Sequence, residues 1–206
     1  MQQDNFLQRK NDLLNKKDKS SIGKWDEKIA TLCEVINKKD NYYTTSSCSG
    51  RIVVMVDQEK KGSGLFEFVS HDIVDGGNFI RLFAPARPPI SAEGVGKFIK
   101  KKIGVDRGQN LKFKSEPMIL HVACRELKDA REFLKIAQKV GLKKCGIISI
   151  SNRIVVEVSG SEKIEFPLMK DGNLLVDEEF LKIVLEKANK HLEKNWKIIR
   201  ELARVV

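Results

Sequence analysis

The apolar positions of the chain alternate between helical and strand periods, and that alternation lays out the elements. From Asp26, residues Ile29, Leu32, Cys33 and Ile36 follow the spacing of a one-sided helix, with Asp26 and Glu27 in its first turn, where the helix dipole favours carboxylates. Upstream, Phe6, Leu7, Leu13 and Leu14 among polar residues predict a short helix, then a loop through Ser20-Ser21-Ile22-Gly23. Strand-like runs occupy 52–57, 65–69, 110–114 and 118–124, and Gly62-Ser63-Gly64 is a turn. Ala130, Phe133, Leu134, Ala137 and Val140 restore the helical period. A further helix is expected over 91–103, and a last one over 177–203, with Asp177 as N-cap and Phe180, Leu181, Val184, Leu185 and Ala188 as its apolar stripe.

The pattern repeats. Ser49-Gly50-Arg51-Ile52-Val53-Val54-Met55-Val56 matches Ser151-Asn152-Arg153-Ile154-Val155-Val156-Glu157-Val158, and Phe66-Glu67-Phe68 returns as Ile164-Glu165-Phe166. Gly and Asn tolerate positive φ best, so both copies call for the same tight turn. Each copy reads α-β-β-β-α, copy one over about 25–105 and copy two over about 118–203, with strands 110–114 and 118–124 between them. The expected fold class is α+β: internally duplicated units with antiparallel sheets flanked by helices, forming a single pseudo-symmetric domain over 1–206 and not a Rossmann fold. Residues 74–90, from Asp75-Gly76-Gly77 to Pro85, Pro88 and Pro89, look like an exposed insertion.

One stretch departs from strand patterning. Tyr42-Tyr43-Thr44-Thr45-Ser46-Ser47-Cys48-Ser49-Gly50-Arg51 places hydroxyls and a thiol on both faces of extended backbone. It is either a Ser-rich turn or a polar wall for a ligand. Copy two has ordinary apolar strand there, Gly146-Ile147-Ile148-Ser149-Ile150, so the hydroxyl cluster belongs to copy one alone, which favours the wall. Arg51 and Arg153 recur and are candidates for scaffold as well as for binding. His71 follows strand 65–69, either as a surface residue or as a catalyst. In strand 118–124, period 2 puts His121, Ala123 and Arg125 opposite Leu120, Val122 and Cys124. That fits a polar cleft wall, or a core histidine beside a surface arginine.

Composition bounds the chemistry. The 206 residues are 41% hydrophobic and 32% charged, with a formal net charge of +10, which fits an anionic partner such as nucleic acid or general solubility. No apolar run is long enough to span a bilayer, and the amino terminus has no signal-peptide pattern. Cys33, Cys48, Cys124 and Cys145 lack zinc-ligand spacing and read as reduced cytosolic thiols, Cys48 in a polar setting and three in the core; no metal site is expected. Gly94-Val95-Gly96-Lys97 lacks the phosphate-loop pattern, and no G-x-S-x-G or H-E-x-x-H occurs. A Cys48 nucleophile paired with a histidine is a possibility that the residues leave open.

The run Tyr42 to Arg51, together with Val69-Ser70-His71-Asp72 and Leu111-Lys112-Phe113-Lys114-Ser115-Glu116-Pro117-Met118-Ile119-Leu120-His121-Val122-Ala123-Cys124-Arg125, resembles the tRNA wybutosine-synthesising protein 3 family. Leu127-Lys128-Asp129-Ala130 and Gly141-Leu142-Lys143-Lys144-Cys145-Gly146-Ile147 extend the resemblance, which covers roughly residues 18–170. Two features depart from it: the length of 74–90, and Lys24-Trp25 ahead of Asp26. The resemblance implies an S-adenosylmethionine-dependent methyltransferase without a Rossmann domain; the reduced thiols point to the cytoplasm, and no obligate protein partner is inferred. Its substrate would be tRNA, methylated at N4 of the tricyclic wyosine-type base 3′ of the phenylalanine anticodon. In that role Asp26 or His71 is the expected base, with Ser47 as a further catalytic residue. Thr45, Ser46, Ser47 and Ser49 offer hydroxyls to the cofactor, Tyr43 offers a ring to stack on, and Arg51 or Arg125 could hold a carboxylate. Cys48, Gly50 and His121 complete the binding set. Lys100, Lys101, Lys102 and the lysines of the 190s would meet phosphates. A non-catalytic RNA-binding module is the alternative.

Overall fold

The computed structural model describes residues 5–15, 26–58, 64–83 and 109–206. The helix expected over 91–103, the 84–90 part of the insertion, Gly94–Lys97, Lys100–Lys102, Ser20–Gly23, Lys24-Trp25 and Gly62-Ser63 lie outside them. Among the described residues, helices α1 (Asn5–Leu14), α2 (Glu27–Asn37), α3 (Gly76–Arg81), α4 (Leu127–Lys139) and α5 (Glu178–Val205) accompany nine strands. These are β1 (Tyr42–Cys48), β2 (Arg51–Val56), β3 (Phe66–Ser70), β4 (Leu111–Glu116), β5 (Ile119–Cys124), β6 (Lys144–Ser149), β7 (Ile154–Ser159), β8 (Ile164–Lys170) and β9 (Asn173–Leu174). Every pairing among the described strands is antiparallel, as an α+β class requires.

The chain divides into two compact units, each discontinuous in sequence. Unit one comprises Met1–Ser49, Pro117–Ser161 and Lys194–Val206; unit two comprises Gly50–Glu116 and Glu162–Glu193. In unit one the four-stranded sheet runs β1-β5-β7-β6. Alternate residues of its strands, Tyr42, Leu120, Val122, Cys124, Val156 and Val158, join Ile29, Leu32, Cys33 and Ile36 of α2, Ala130, Phe133 and Ala137 of α4, and Ile199 and Leu202 of α5 in one buried cluster. The two helical stripes read from the sequence are therefore core-facing, and each buried aliphatic side chain contributes on the order of 1.5–3 kcal/mol. On the other face of β1, Phe6 of α1 packs on Tyr43, with ring centroids 5.0 Å apart.

In unit two the five-stranded sheet runs β3-β2-β4-β8-β9. Its core is aromatic: Phe79 meets Phe68, Phe83 and Phe113, and Phe166 stacks on Phe113 and meets Phe180 edge-on. Phe79 corrects the expectation of an exposed insertion. The described part of that segment, 74–83, contains α3, and Phe79 is 1% exposed. Two glycines at its start hid a helix whose Asp75 cap accepts from the Asn78 N–H at 2.9 Å. The Asn189 side chain also clamps Val74, accepting from its N–H and donating to its carbonyl, each at 2.9 Å.

Strands matched by the repeat behave unequally. β1 and β6 form the two edges of one sheet, and β3 and β8 both lie in the other, but β2 and β7 are divided between the sheets. The turns explain the difference. Gly50 has φ +100°, and β1 and β2 do not pair across it, whereas β6 and β7 pair as neighbours. Asn152 is not among the residues of positive φ, so the shared tight turn is not formed in copy two. Asp177 does cap α5, accepting from the Phe180 N–H at 2.8 Å.

Candidate functional site

The hydroxyl segment is an edge strand broken by a bulge. Tyr42, Tyr43 and Thr44 stand opposite Cys124, Ala123 and Val122, and Ser46, Ser47 and Cys48 stand opposite His121, Leu120 and Ile119. Thr45 is the extra residue, and its Oγ1 donates to the His121 carbonyl at 3.5 Å. A bulge re-aims the side chains that follow it, and an edge strand leaves one row of backbone groups unpaired by the sheet. Polar residues can therefore occupy both faces here without breaking the core.

Below the bulge the two faces separate. Thr44 and Ser47 turn toward α2 and the buried Cys33 thiol; burial pushes that thiol's pKa up, against a smaller lowering by the two hydroxyls. Asn37 closes the α2 side, its Oδ1 accepting from the Thr44 N–H at 2.8 Å. Ser46 is exposed on the opposite face. There His121 and Glu157 of β7 stand opposite each other, Nε2 to Oε2 at 2.7 Å, so Ser46, His121 and Glu157 form one cross-strand row. Cys48 is half-buried.

Asp26 organises the end of the segment. It is the N-cap of α2 rather than a first-turn residue, its Oδ1 accepting from the Lys28 N–H at 3.2 Å. Its Oδ2 accepts from the Ser49 N–H at 2.6 Å. One carboxylate thus ties the helix start to the strand end. Ser49 is 0% exposed, and its Oγ has no hydrogen-bond partner among the described residues. A buried hydroxyl without a partner is uncommon and needs an explanation.

In unit two the next residues are equally ordered. Arg51 Nε donates to Glu116 Oε2 at 2.6 Å, both side chains being about one quarter exposed, and its guanidinium lies 5.2 Å from the Phe66 ring centroid. Glu116 also approaches Lys114 at 3.4 Å. Arg153 of the second copy is exposed instead, so the ion pair is peculiar to Arg51. His71 Nδ1 lies 3.1 Å from the Gly50 carbonyl. A carbonyl only accepts, so Nδ1 is the donor of this bond.

In unit one the structure therefore sets Asp26, Ser47 and Ser49 on the α2 side of β1 and Ser46 and His121 on its opposite face, with Thr45 at the bulge and Cys48 at the strand end; Gly50, Arg51 and His71 lie in unit two. Two expected site residues stand apart. Tyr43 is 1% exposed with Phe6 against its ring. Arg125 is exposed, and its N–H donates to the Asn41 carbonyl at the far end of β1, roughly 20 Å of strand from Cys48 at ~3.3 Å per residue. Sequence reasoning assigned no role to Glu116, Glu157 or Asn37. For Glu157 a signal existed: it is a carboxylate in an apolar strand, where the first copy has Met55. The thiols divide as two buried, Cys33 and Cys124, and two half-buried, Cys48 and Cys145, of which Cys145 packs against the edge of the core.

Comparison with known proteins adds a family. A family model described as Methyltransferase TYW3 matches residues 4–206. A tRNA wybutosine-synthesizing protein 3 homolog of Danio rerio is 34% identical over 205 residues, covering 98% of this chain and 75% of that protein. The tRNA(Phe) 7-((3-amino-3-carboxypropyl)-4-demethylwyosine(37)-N(4))-methyltransferase of Archaeoglobus fulgidus is 35% identical over 174 residues, covering 83% of this chain and 77% of its own. Among solved structures, the PH1069 protein of Pyrococcus horikoshii superposes with a TM-score of 0.77 at 28% identity, over 97% of this chain and 93% of that one.

Proposed function

The chain belongs to the TYW3 methyltransferase family, and from that premise we propose that it methylates N4 of the tricyclic wyosine-type base beside the anticodon of phenylalanine tRNA, with S-adenosylmethionine as methyl donor. The observation that carries the reading is the family match over 4–206, joined by relatives whose names specify N4-methylation of a demethylwyosine in tRNA(Phe). As a methyltransferase the protein requires a methyl donor. When bound, S-adenosylmethionine supplies an electrophilic methyl group whose departure neutralises a sulfonium charge.

The residues of unit one fit such a ligand. Ser47 and Ser49 on the α2 side of β1, and Ser46 on its opposite face, carry hydroxyls of the kind a ribose or an amino-acid group binds, and the unpartnered Ser49 Oγ, itself buried, is an orphan that a ligand atom would satisfy. Thr45 and the Asp26 bond hold that segment in shape. Asp26 already accepts from two backbone N–H groups that hold the segment in shape, so of the two expected bases we assign the proton to His71. Arg51, already paired with Glu116, keeps its Nη donors for a carboxylate. Because methyl transfer is an in-line displacement, alignment and exclusion of water are the main tasks left to the protein. We place the activity in the cytoplasm, where four free thiols stay reduced; no described helix is long and apolar enough to cross a membrane.

The test is direct. Phenylalanine tRNA carrying the 4-demethyl precursor is incubated with protein and S-adenosylmethionine, digested to nucleosides and weighed by mass spectrometry. The expected product is the precursor base plus one methyl group at N4. No product, together with no calorimetric binding of S-adenosylmethionine at submillimolar concentration, would sink the reading.

A further inference from the structure

We infer that the outer face of α4, continued by the loop after it, is a docking surface for the phosphate backbone of the RNA substrate; this rests on the reading of the protein as a tRNA methyltransferase. α4 turns Ala130, Phe133 and Ala137 into the core of unit one. Its opposite face carries Lys128, Arg131, Lys135 and Lys139 at steps of three or four residues, one above the other over about 16 Å at 1.5 Å per residue. Lys143 and Lys144 follow, and all six cations are exposed.

Little on this face balances that charge. Over 127–144 the carboxylates are Glu132, which is exposed, and Asp129, which is buried and bonded to the Asn41 side chain and the Glu126 N–H. Lys128 pairs with Glu126 at 2.9 Å. Arg131, Lys135, Lys139, Lys143 and Lys144 have no ion-pair partner among the described residues. Like charges at helical spacing repel by a few tenths of a kcal/mol per pair, a cost that an anionic partner offsets. α5 offers the contrast. Its lysines alternate with Glu178, Glu179, Glu186, Glu193 and Glu201, and Lys190 reaches Glu186 at 2.6 Å. The lysines of the 190s are thus a mixed-charge surface, whereas the cations of α4 are left largely uncompensated among the described residues.

The chemistry favours RNA over a lipid surface. A helix that lies on a membrane needs a free apolar face, whereas α4 has buried its own in the core, and the exposed residues between 128 and 139 are all polar. Phosphates along an RNA strand ask only for a row of accessible cations.

The experiment measures tRNA binding without methyl donor from 50 to 200 mM salt. The compared proteins are wild type, an α4 variant (Arg131→Gln, Lys135→Gln, Lys139→Gln, Lys143→Gln) and an α5 variant (Lys182→Gln, Lys187→Gln, Lys190→Gln, Lys197→Gln). If four phosphate contacts are lost, the slope of log affinity against log salt falls by about 3 in the α4 variant, and wild-type affinity drops roughly 50- to 150-fold further than the variant's over this range. A matching set of Lys→Arg changes at 135, 139 and 143 keeps the wild-type slope. An unchanged slope in the α4 variant, or an equal loss in the α5 variant, would overturn the assignment. So would a loss that shows only on phosphatidylserine vesicles. Expected slopes from a wild type that methylates no precursor tRNA would refute the methyltransferase reading and support the docking surface.

Discussion

Replacing Asp26 by alanine removes two hydrogen bonds that can be separated by choice of variant. The first caps α2 through the Lys28 N–H, and loss of such a cap costs about 1 kcal/mol. The second serves the Ser49 N–H at 2.6 Å, on a residue that is 0% exposed, so its donor would be left buried and unmet at about 1–3 kcal/mol. Asp26→Ala should therefore cost about 2–4 kcal/mol, or roughly 4–16 °C in Tm at ~2–4 °C per kcal/mol for a chain of this size. Asp26→Ser keeps a capping oxygen but cannot reach Ser49. Asp26→Asn keeps the cap through its single oxygen and presents an NH2 donor to the Ser49 N–H. Both should fall between alanine and wild type, about 1 kcal/mol above alanine. Differential scanning calorimetry of the four proteins at one pH gives the order. A serine variant as unstable as alanine would show that the cap contributes nothing. An asparagine variant equal to wild type would refute the buried-donor argument for Ser49.

Other expectations follow from single contacts. Ser47→Ala and His71→Ala should keep the fold while methyl transfer falls at least tenfold, the threshold corresponding to ~1.4 kcal/mol of barrier; wild-type rates in both would place the chemistry elsewhere. Cys48→Ser should retain full turnover, and its loss would revive the thiol nucleophile. Gly160→Ala puts a Cβ 2.9 Å from Asn195 Oδ1 and 3.0 Å from Pro117 Cβ, so thermal melts should show a loss on the order of 1–3 kcal/mol, whereas Gly146→Ala meets nothing within 4 Å. Burial, aided by Asp129, pushes the Cys124 thiol up to about 12. A raised thiol stabilises the fold below its unfolded value of ~8.5 and loses that contribution as pH climbs toward the folded one, so denaturant melts should show stability declining above pH ~8.5. Cys124→Val should flatten that decline; an unaltered pH profile would assign it to other groups.

Much of the fold was legible along the chain because the features involved are local. Ile29, Leu32, Cys33 and Ile36 form one face of α2 whatever surrounds them, and Asp177 caps α5 through residues three positions away. The hydroxyl run could be located in the same way, since β1 lacks the apolar alternation that its counterpart β6 keeps. Local rules also misled. Gly76-Gly77 argued against a helix, yet Phe79 had an aromatic core to enter, and burial outweighed propensity. The repeat predicted like turns at Gly50 and Asn152, yet only Gly50 adopts positive φ.

What the sequence determined by itself was the period of each segment, the class of the fold, the unusual chemistry of Tyr42–Arg51 and the family resemblance. Tertiary structure decided which of those polar groups have partners. The pairing of His121 with Glu157, of Arg51 with Glu116, and of Asp26 with Ser49 joins residues 36, 65 and 23 positions apart. Strand register makes the first two contacts and the seating of the α2 start beside the end of β1 makes the third; a slip of one residue would send every strand side chain to the opposite face. Register is set by which faces can be buried together, a property of the assembled sheet that no single segment carries.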